Sequence, residues 1–336
     1  MELSMANGFC AGVGIDLPIV QAAMGGATSP ALAAAVSNAG GLGMLALGWS
    51  PPDEMRQVIR ATKALTRRPF GVNVVLTMPQ EERVQVCVDE KVAVVSFFWG
   101  LAGPVLTATA QRAGAKVLHT VSSASQARQA VDDGADAVVA QGWEAGGHVA
   151  GKVTTLALVP TVVDAVGRVP VIAAGGIADG RGLAAVMALG ASGAWIGTRF
   201  LASPEAAIHP RYRDLLLAAK ETDTEYGTLF DVNWRDAPHR SLRNKTVTNW
   251  EAAGRPPSGQ RPGEGEVLGT NSGVDIVRYQ SFTPQASFIG DVDELALWAG
   301  QGVALVRKVQ QAADIVREIA DEARATLRRL GSAPGF

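Results

Sequence analysis

Short apolar runs alternate with longer amphipathic stretches through the first two thirds of the chain. Eight runs of four to six residues carry few charges, which is typical of parallel strands buried on both faces. These predicted strands are Ile19–Ala23, Leu42–Leu45, Phe70–Val75, Val92–Phe97, Lys116–Val121, Ala137–Gln141, Val171–Ala174 and Gly193–Gly197.

The stretches between these runs are rich in Ala, Leu, Glu and Arg and predict helices, several of which begin after Ser, Asp or Pro. Glycine follows several of them, as expected for a left-handed C-cap. Eight successive units predict a (βα)8 TIM barrel with its active site at the carboxyl ends of the strands. A doubly wound open sheet is the alternative, and the regularity of the units favours closure. The predicted helices are Pro30–Asn38, Pro51–Leu65, Gln80–Asp89, Pro104–Ala113, Ser125–Asp133, Leu156–Val166 and Gly180–Leu189.

The regular alternation stops near residue 222. Residues 253–273 are dense in Gly, Pro and Ser and predict a long loop, which in a compact enzyme is often a lid or a linker. Helical spacing returns from Asp293 to Leu330. We therefore predict a barrel at 1–222, an inserted cap or lid region at 223–292, and C-terminal helices at 293–336 that pack back on the barrel.

Composition argues against several classes of function. The 336 residues have a formal net charge of −2 with scattered Lys and Arg, so no nucleic-acid surface is expected. The most apolar stretch, 92–110, is interrupted by Gly and Pro and does not predict a membrane span. The N-terminus lacks a signal-peptide pattern, and Cys10 and Cys87 have no metal-ligand spacing. We expect a cytoplasmic protein without a metal site.

The stretch Gln141–His148 combines the end of a strand, two glycines and a titratable ring. Gly146 and Gly147 can adopt backbone angles closed to other residues and let a ligand approach the chain. The imidazole of His148 can change charge near neutral pH. His148 is therefore the candidate catalytic residue, and His119, at the end of the fifth strand, could face the same site.

Two glycine-bearing loops, Ala174–Gly180 and Ile196–Arg199, follow the last two strands. In TIM barrels these loops often bind phosphate through backbone N–H groups and a helix N-terminus. Glycines would leave the amides open, and Thr198 can add a hydroxyl donor. The order of the loops favours a phosphate site over two simple turns.

Other candidates carry weaker signals. The small residues of Gln21–Gly26 could let a flat ring lie against the backbone, with Met24 packed on it, although a turn filled by a core methionine explains them equally simply. Asn73 could bond a ligand or be satisfied by backbone groups. Arg240–Asn244 could reach the mouth of the site or form a solvated basic turn that caps a helix. Trp234 and Trp250 are expected to anchor the cap by burial, without a chemical role.

Together these motifs resemble the nitronate monooxygenase family, formerly called 2-nitropropane dioxygenases, whose members are FMN-dependent barrels. The family itself is similar to FMN-dependent NADH:quinone reductases and enoyl reductases, so the motifs are more specific for the superfamily than for one reaction. The resemblance covers nearly the whole chain, through Pro18–Gly26, Ala33–Gly43, Phe70–Asn73, Gln141–Gly151, Ala173–Leu201 and Trp298–Val303.

The resemblance implies FMN as the cofactor, and His148 falls at the family's catalytic histidine. Two positions depart from the family pattern: Ala23 stands where proline often precedes the methionine, and Phe98 stands where many members carry a histidine, which predicts a more apolar substrate pocket. The implied FMN phosphate ligands are Gly175, Gly176, Gly197 and Thr198, and the rest of the cofactor set is Gln21, Ala22, Ala23, Met24, Asn73, Thr120, Gln141, Gly146, Gly147, Ala174 and Gln301.

The implied reaction is FMN-dependent oxidation of an alkyl nitronate by O2 to a carbonyl compound and nitrite. Protonated His148 could hold the anion, and neutral His148 could remove the α-proton of a nitroalkane. The alternatives are an NAD(P)H:quinone reductase or enoyl reductase on the same scaffold, and a flavin-binding protein without turnover. The expected partners are the small-molecule substrate and O2, and an oligomer is compatible with the sequence.

Overall fold

Eight parallel strands close into a barrel in the computed structural model, which describes residues 5–332. Pairing of Val20 with Trp195 joins the first strand to the last and closes the ring. The predicted TIM barrel is confirmed. Its strands are β1 (Ile19–Gln21), β2 (Leu42–Ala46), β3 (Phe70–Val75), β4 (Val94–Phe98), β5 (Lys116–Val121), β6 (Ala137–Gln141), β8 (Val171–Ala174) and β9 (Gly193–Ile196), with a short β7 (Gly147–His148) outside the barrel.

The seven predicted helices are present, and their bounds agree with the structure to within two residues. Ser29 and Asp179 cap two of them, because their side chains accept from backbone N–H groups of the first turn. Gly114 and Gly134 follow two others with φ of 83° and 98°. The helices are α1 (Gly8–Val13), α2 (Pro30–Asn38), α3 (Pro52–Leu65), α4 (Glu81–Asp89), α5 (Gly103–Gln111), α6 (Ala124–Asp132), α7 (Thr155–Val166), α8 (Gly180–Ala188), α9 (Thr198–Leu201), α10 (Pro210–Ala218), α11 (Lys245–Ala252) and α12 (Ala312–Gly331).

The barrel interior is filled at its amino-terminal end. Met44, Leu118 and Ile172 belong to one apolar cluster inside the barrel, and Phe9 and Cys10 of α1 join the same cluster. A TIM barrel packed in this way has no pore, so ligand space remains only at the carboxyl ends of the strands.

Two small antiparallel sheets lie beyond the barrel. One has the order β10-β11-β7 and the other β13-β12-β14. In the first sheet His239 pairs with His148 and Arg240 pairs with Gly147, so the loop after β6 supplies a strand to a sheet whose other strands are β10 and β11. The added strands are β10 (Thr224–Gly227), β11 (His239–Leu242), β12 (Val267–Asn271), β13 (Val274–Val277) and β14 (Phe288–Gly290).

Two expectations for the second half of the chain are wrong, and a third is wrong in part. The predicted loop 253–273 contains strand β12, whose small and polar residues hid its pairing. The predicted helical span from Asp293 contains only 3₁₀ turns before α12 begins at Ala312. Within the predicted turn Arg240–Asn244, residues 240–242 are instead the buried end of strand β11 and do not line the cavity, whereas Arg243 is exposed and Asn244 caps α11, as the turn predicted. The boundaries at 222 and 292 stay predictions.

No helix within residues 5–332 combines the length and apolar character needed to cross a membrane.

Candidate active site

A cavity of about 610 Å³ opens at the carboxyl ends of the barrel strands. This volume lies in the range of small-molecule and cofactor sites. His148 lies in its wall, as do all the predicted cofactor residues except Gln21 and Gln301. The predicted residues that line the cavity are Ala22, Ala23, Met24, Asn73, Thr120, Gln141, Gly146, Gly147, Ala174, Gly175, Gly176, Gly197 and Thr198.

The two exceptions stand beside the cavity. Gln21 is fully buried, donates from Nε2 to the carbonyl of Ala22, and accepts from the N–H of Met44 at 3.2 Å, so its side chain joins β1 to β2. Gln301 donates its backbone N–H to the carbonyl of Glu144 at 2.9 Å. Its neighbours Gly300 and Gly302 line the cavity instead.

One end of the cavity presents backbone amides. Gly175 and Gly176 have φ of 107° and 71°, a conformation that favours glycine. Within residues 5–332, the N–H groups of Gly176, Gly197 and Thr198 have no hydrogen-bond acceptor. The Thr198 hydroxyl accepts from the N–H of Gly300 at 3.0 Å, which leaves its own proton to donate. Clustered amides of this kind bind phosphate, so this end fits the FMN phosphate.

Two buried polar atoms in the wall also indicate a ligand. Oε1 of Gln141 and Nε2 of His148 have no hydrogen-bond partner in the described part of the chain. Buried polar atoms are almost always hydrogen-bonded, so both indicate a polar molecule in the cavity. Asn73 donates from Nδ2 to the Ser96 hydroxyl at 2.8 Å, which orients its amide at the same wall.

The glycine pair before His148 has two different roles. A Cβ on Gly146 would lie 2.9 Å from the Cα of Ala299, and a Cβ on Gly300 would lie 2.7 Å from the carbonyl oxygen of Glu144. Gly146 therefore allows two backbone segments to pack together. Gly147 has φ of 73° and open space around its missing side chain, so it serves the conformation of the loop.

His148 is held by strand pairing and by a second contact. Nε2 of Gln141 donates to the His148 carbonyl at 3.1 Å, in addition to the pairing of β7 with β11. The imidazole stacks on Trp234, with ring centroids 3.8 Å apart, and a tilted Trp298 ring lies 5.3 Å away. Burial, with a smaller contribution from His239, lowers the pKa of His148 to about 3, so the ring is neutral at neutral pH.

Both ring nitrogens of His239 have hydrogen-bond partners, so neither is available to a ligand. Its Nε2 lies 3.2 Å from the N–H of Phe230 and its Nδ1 lies 3.0 Å from the carbonyl of Ala237. These partners assign the proton to Nδ1, so that Nε2 accepts. Burial lowers the pKa of His239 to about 4, and the neutral ring has both nitrogens satisfied. His239 is therefore a structural residue of β11.

The expectation that His119 could face the site is wrong. Leu118 and Thr120 point into the barrel, so the side chain between them points outward to the helices. Nε2 of His119 accepts from the N–H of Ala102 at 3.4 Å, and its ring stacks on Phe97. Burial lowers the pKa of His119 to about 4.

Aromatic rings that the sequence analysis did not assign to the site cover its mouth. Trp234 meets Trp49 at a centroid distance of 5.5 Å and Trp99 at 5.1 Å, both edge to face. We call Trp49, Trp99 and Trp234 the aromatic cover. The rings come from the loops after β2 and β4 and from the segment between β10 and β11, so no local motif signals their meeting. Trp250 packs among cap residues instead.

Comparisons with known proteins agree with this architecture. The sequence model of the family described as nitronate monooxygenase matches residues 9–82 and 76–322. The chain is 34% identical to a nitronate monooxygenase of Paraburkholderia phytofirmans, over 95% of each chain. It is 41% identical, over 72% of this chain and 67% of the other, to (3aS,4S,5R,7aS)-5-hydroxy-7a-methyl-1-oxo-octahydro-1H-indene-4-carboxyl-CoA dehydrogenase of Rhodococcus jostii. The structure of FabK from Thermotoga maritima aligns with a TM-score of 0.83 and 35% identity, over 96% of this chain and 97% of that chain.

Proposed function

This chain belongs to the nitronate monooxygenase family of oxidoreductases, and from that membership we propose that it uses FMN to oxidise alkyl nitronates with dioxygen. Two nitronate anions and one O2 give two carbonyl molecules and two nitrite anions. Each carbon–nitrogen bond breaks, each nitrogen leaves as nitrite, and O2 is the oxidant. Bound FMN would supply the electron transfer, while the protein orients the reactants and sets their electrostatic environment.

One observation carries the proposal. The buried Nε2 of His148 is unpartnered within the described residues, and it lies in the wall of the cavity that also presents the open amides of Gly176 and Gly197. The amides suit the phosphate of a flavin. The imidazole is then a titratable side chain that can contact a small substrate in the same cavity.

We assign His148 the task of holding the nitronate. An anion beside the ring favours the imidazolium form and raises its pKa, so His148 takes up a proton when the substrate binds. The N–H formed in this way donates to a nitronate oxygen. Removal of a proton from a nitroalkane needs a base whose pKa lies near the working pH, and burial lowers the pKa of His148, which weakens the ring as a base. Preformed nitronates are therefore the proposed substrates.

The second candidate function is reduction of an enoyl thioester or a quinone by NAD(P)H. Similarity to FabK and to a CoA-linked dehydrogenase supports it. A nicotinamide that stacks directly on a flavin needs no separate nucleotide-binding domain. The two candidates differ in the reductant of the flavin, which is the nitronate in one and NAD(P)H in the other.

Anaerobic mixing of the FMN-loaded protein with 1-nitrobutane nitronate or with NADH separates the two candidates. We expect the nitronate to bleach the flavin absorbance rapidly and NADH to bleach it slowly. In air, oxygen uptake should be accompanied by nitrite and butanal in equal amounts. Rapid bleaching by NADH, with no nitrite from the nitronate, would replace the proposed function by the second candidate.

A further inference from the structure

The cavity wall contains almost no charge. Within the described residues, its lining includes no lysine and no arginine, and its one carboxylate belongs to Glu54. Glu54 lies in the first turn of α3 and is exposed at the mouth, where the Ser50 hydroxyl lies 3.4 Å from its Oε1. An anion that enters the cavity therefore meets a negative group first and has no fixed cation to pair with.

Large aromatic rings also line this mouth. Trp49 and Trp234 of the aromatic cover line the cavity together with Phe98, and Trp49 is 46% exposed. Phe98 and Trp99 are themselves in edge-to-face contact at 5.5 Å. Rings of this size contribute large contact areas to an apolar ligand. A hydrocarbon chain or ring that projects from the reacting carbon would contact this surface.

We propose that the site selects nitronates with an apolar chain or ring and discriminates against those that carry a second anionic group, such as a carboxylate. The inference rests on the proposed function and specifies its substrate class. The nitronate charge is compensated by one ring, His148. A second anion has no such partner in the lining, and desolvation of an unpaired charge is strongly unfavourable. Repulsion by Glu54 adds to this discrimination at the mouth.

A matched pair of substrates tests the selection. Propionate 3-nitronate and 1-nitrobutane nitronate differ mainly in the replacement of a carboxylate by an ethyl group of similar size. We expect kcat/KM to be at least about tenfold lower for the carboxylated substrate. The difference should narrow at high ionic strength, because salt screens the exposed Glu54 charge. Each methylene added to the alkyl series should raise kcat/KM by up to about fourfold until the cavity is filled.

Two lysine substitutions in the same helical turn locate the effect. Glu54→Lys should raise kcat/KM for propionate 3-nitronate by about tenfold and so reduce the discrimination. Asp53→Lys is the control, because Asp53 is also exposed in the first turn of α3 but does not line the cavity. The control makes the same change in net charge and in helix-dipole interaction, and it should keep the wild-type discrimination.

The outcomes separate this inference from the proposed function. Equal kcat/KM for the two nitronates, or equal effects of the two lysine variants, would overturn the selection while nitronate oxidation stands. If no nitronate is oxidised and NADH alone reduces the flavin, the proposed function fails and the inference fails with it.

Discussion

The indole of Trp234 lies nearly parallel to the imidazole of His148, with ring centroids 3.8 Å apart and planes inclined by 23°. Trp234 comes from the segment between β10 and β11, whereas His148 follows the barrel strand β6. The segment between β10 and β11 thus shields one face of the candidate catalytic ring from water. Because burial is the main cause of the low pKa of His148, this segment helps to set its protonation state.

Replacing Trp234 by alanine should hydrate His148 and raise its pKa from about 3 towards the ordinary 6.5. The pKa can be followed by NMR of labelled histidine during a pH titration. Trp250→Ala is the control, because Trp250 packs against a separate apolar cluster that includes Val247 and Tyr279, and its loss should leave the pKa of His148 unchanged. An unchanged pKa in Trp234→Ala would show that the indole does not cause the desolvation.

Binding of a nitronate should be coupled to protonation of His148. At pH 7 the wild-type protein should take up about one proton per nitronate bound, measured anaerobically by calorimetry in buffers of different ionisation enthalpy. His148→Asn should abolish the uptake and lower kcat/KM for nitronate by about 100-fold. His209→Asn is a suitable control. The His209 side chain caps α10 by accepting from the N–H of Arg211, and asparagine is itself a good N-cap. Full proton uptake by His148→Asn would assign the proton to another group.

A methyl group on Gly176 should weaken FMN binding by about tenfold, because φ of 71° strains any other residue and displaces its amide. Flavin fluorescence during titration of the apoprotein measures the Kd. Gly114→Ala introduces a similar strain at φ of 83°, with open space around the new methyl group, in the loop between α5 and β5 at the other end of the barrel. Equal flavin affinity in the two variants would contradict the assignment of Gly176 to the phosphate site.

Gly146→Ala should destabilise the fold by about 3 kcal/mol, because the new Cβ meets the backbone of Ala299 and Gly300, which cannot move aside cheaply. Urea unfolding of the FMN-free protein measures this loss separately from flavin binding. Gly227→Ala places a Cβ in open space and should change stability by less than about 0.5 kcal/mol. Wild-type stability of Gly146→Ala would mean that the two segments are packed less closely than we describe.

Stability should fall as the pH is lowered from about 6.5 towards 4. Burial lowers the pKa values of His119, His148 and His239 below the ordinary 6.5, to about 4, 3 and 4. The unfolded chain therefore binds more protons than the folded chain in this window, and acid favours unfolding. At about 1.4 kcal/mol for each pKa unit, the three rings together should lower the free energy of unfolding by about 5 kcal/mol between pH 7 and 5.

Urea unfolding at a series of pH values measures this dependence. His119→Gln keeps an acceptor for the N–H of Ala102 but removes one titrating ring. It should reduce the acid effect by about one third. An unchanged pH dependence in this variant would show that His119 is not the buried neutral group we describe.

The sequence predicts the barrel well, because each buried parallel strand is a continuous apolar run between helices. The bounds of Phe70–Val75 and Lys116–Val121 agree fully with the structure. The position of the cavity follows from topology: Gly176, Thr198 and His148 all follow barrel strands, and the carboxyl ends of those strands meet at one rim. These residues are therefore brought together even though no one segment contains them all.

Contacts between distant segments could not be predicted in this way. The packing of Gly146 on Gly300 and the stacking of Trp234 on His148 depend on how the cap region folds over the rim. The outward direction of His119 was equally hidden, because a strand buried on both faces has no polar alternation to show which side faces the barrel. Strand β12 was not predicted because its glycine and polar residues are typical of a loop.

Because Gly147–His148 pairs with strand β11, His148 belongs both to the rim of the barrel and to the small sheet that lies over it. Replacing the segment that carries Trp234 and β11, in order to widen the substrate range, would therefore also change the pKa of His148. A chimaera built from two relatives should carry the turn after β6 and the covering segment from the same parent. Deleting that segment would remove strand β11, and with it the backbone pairing that holds His148 in position.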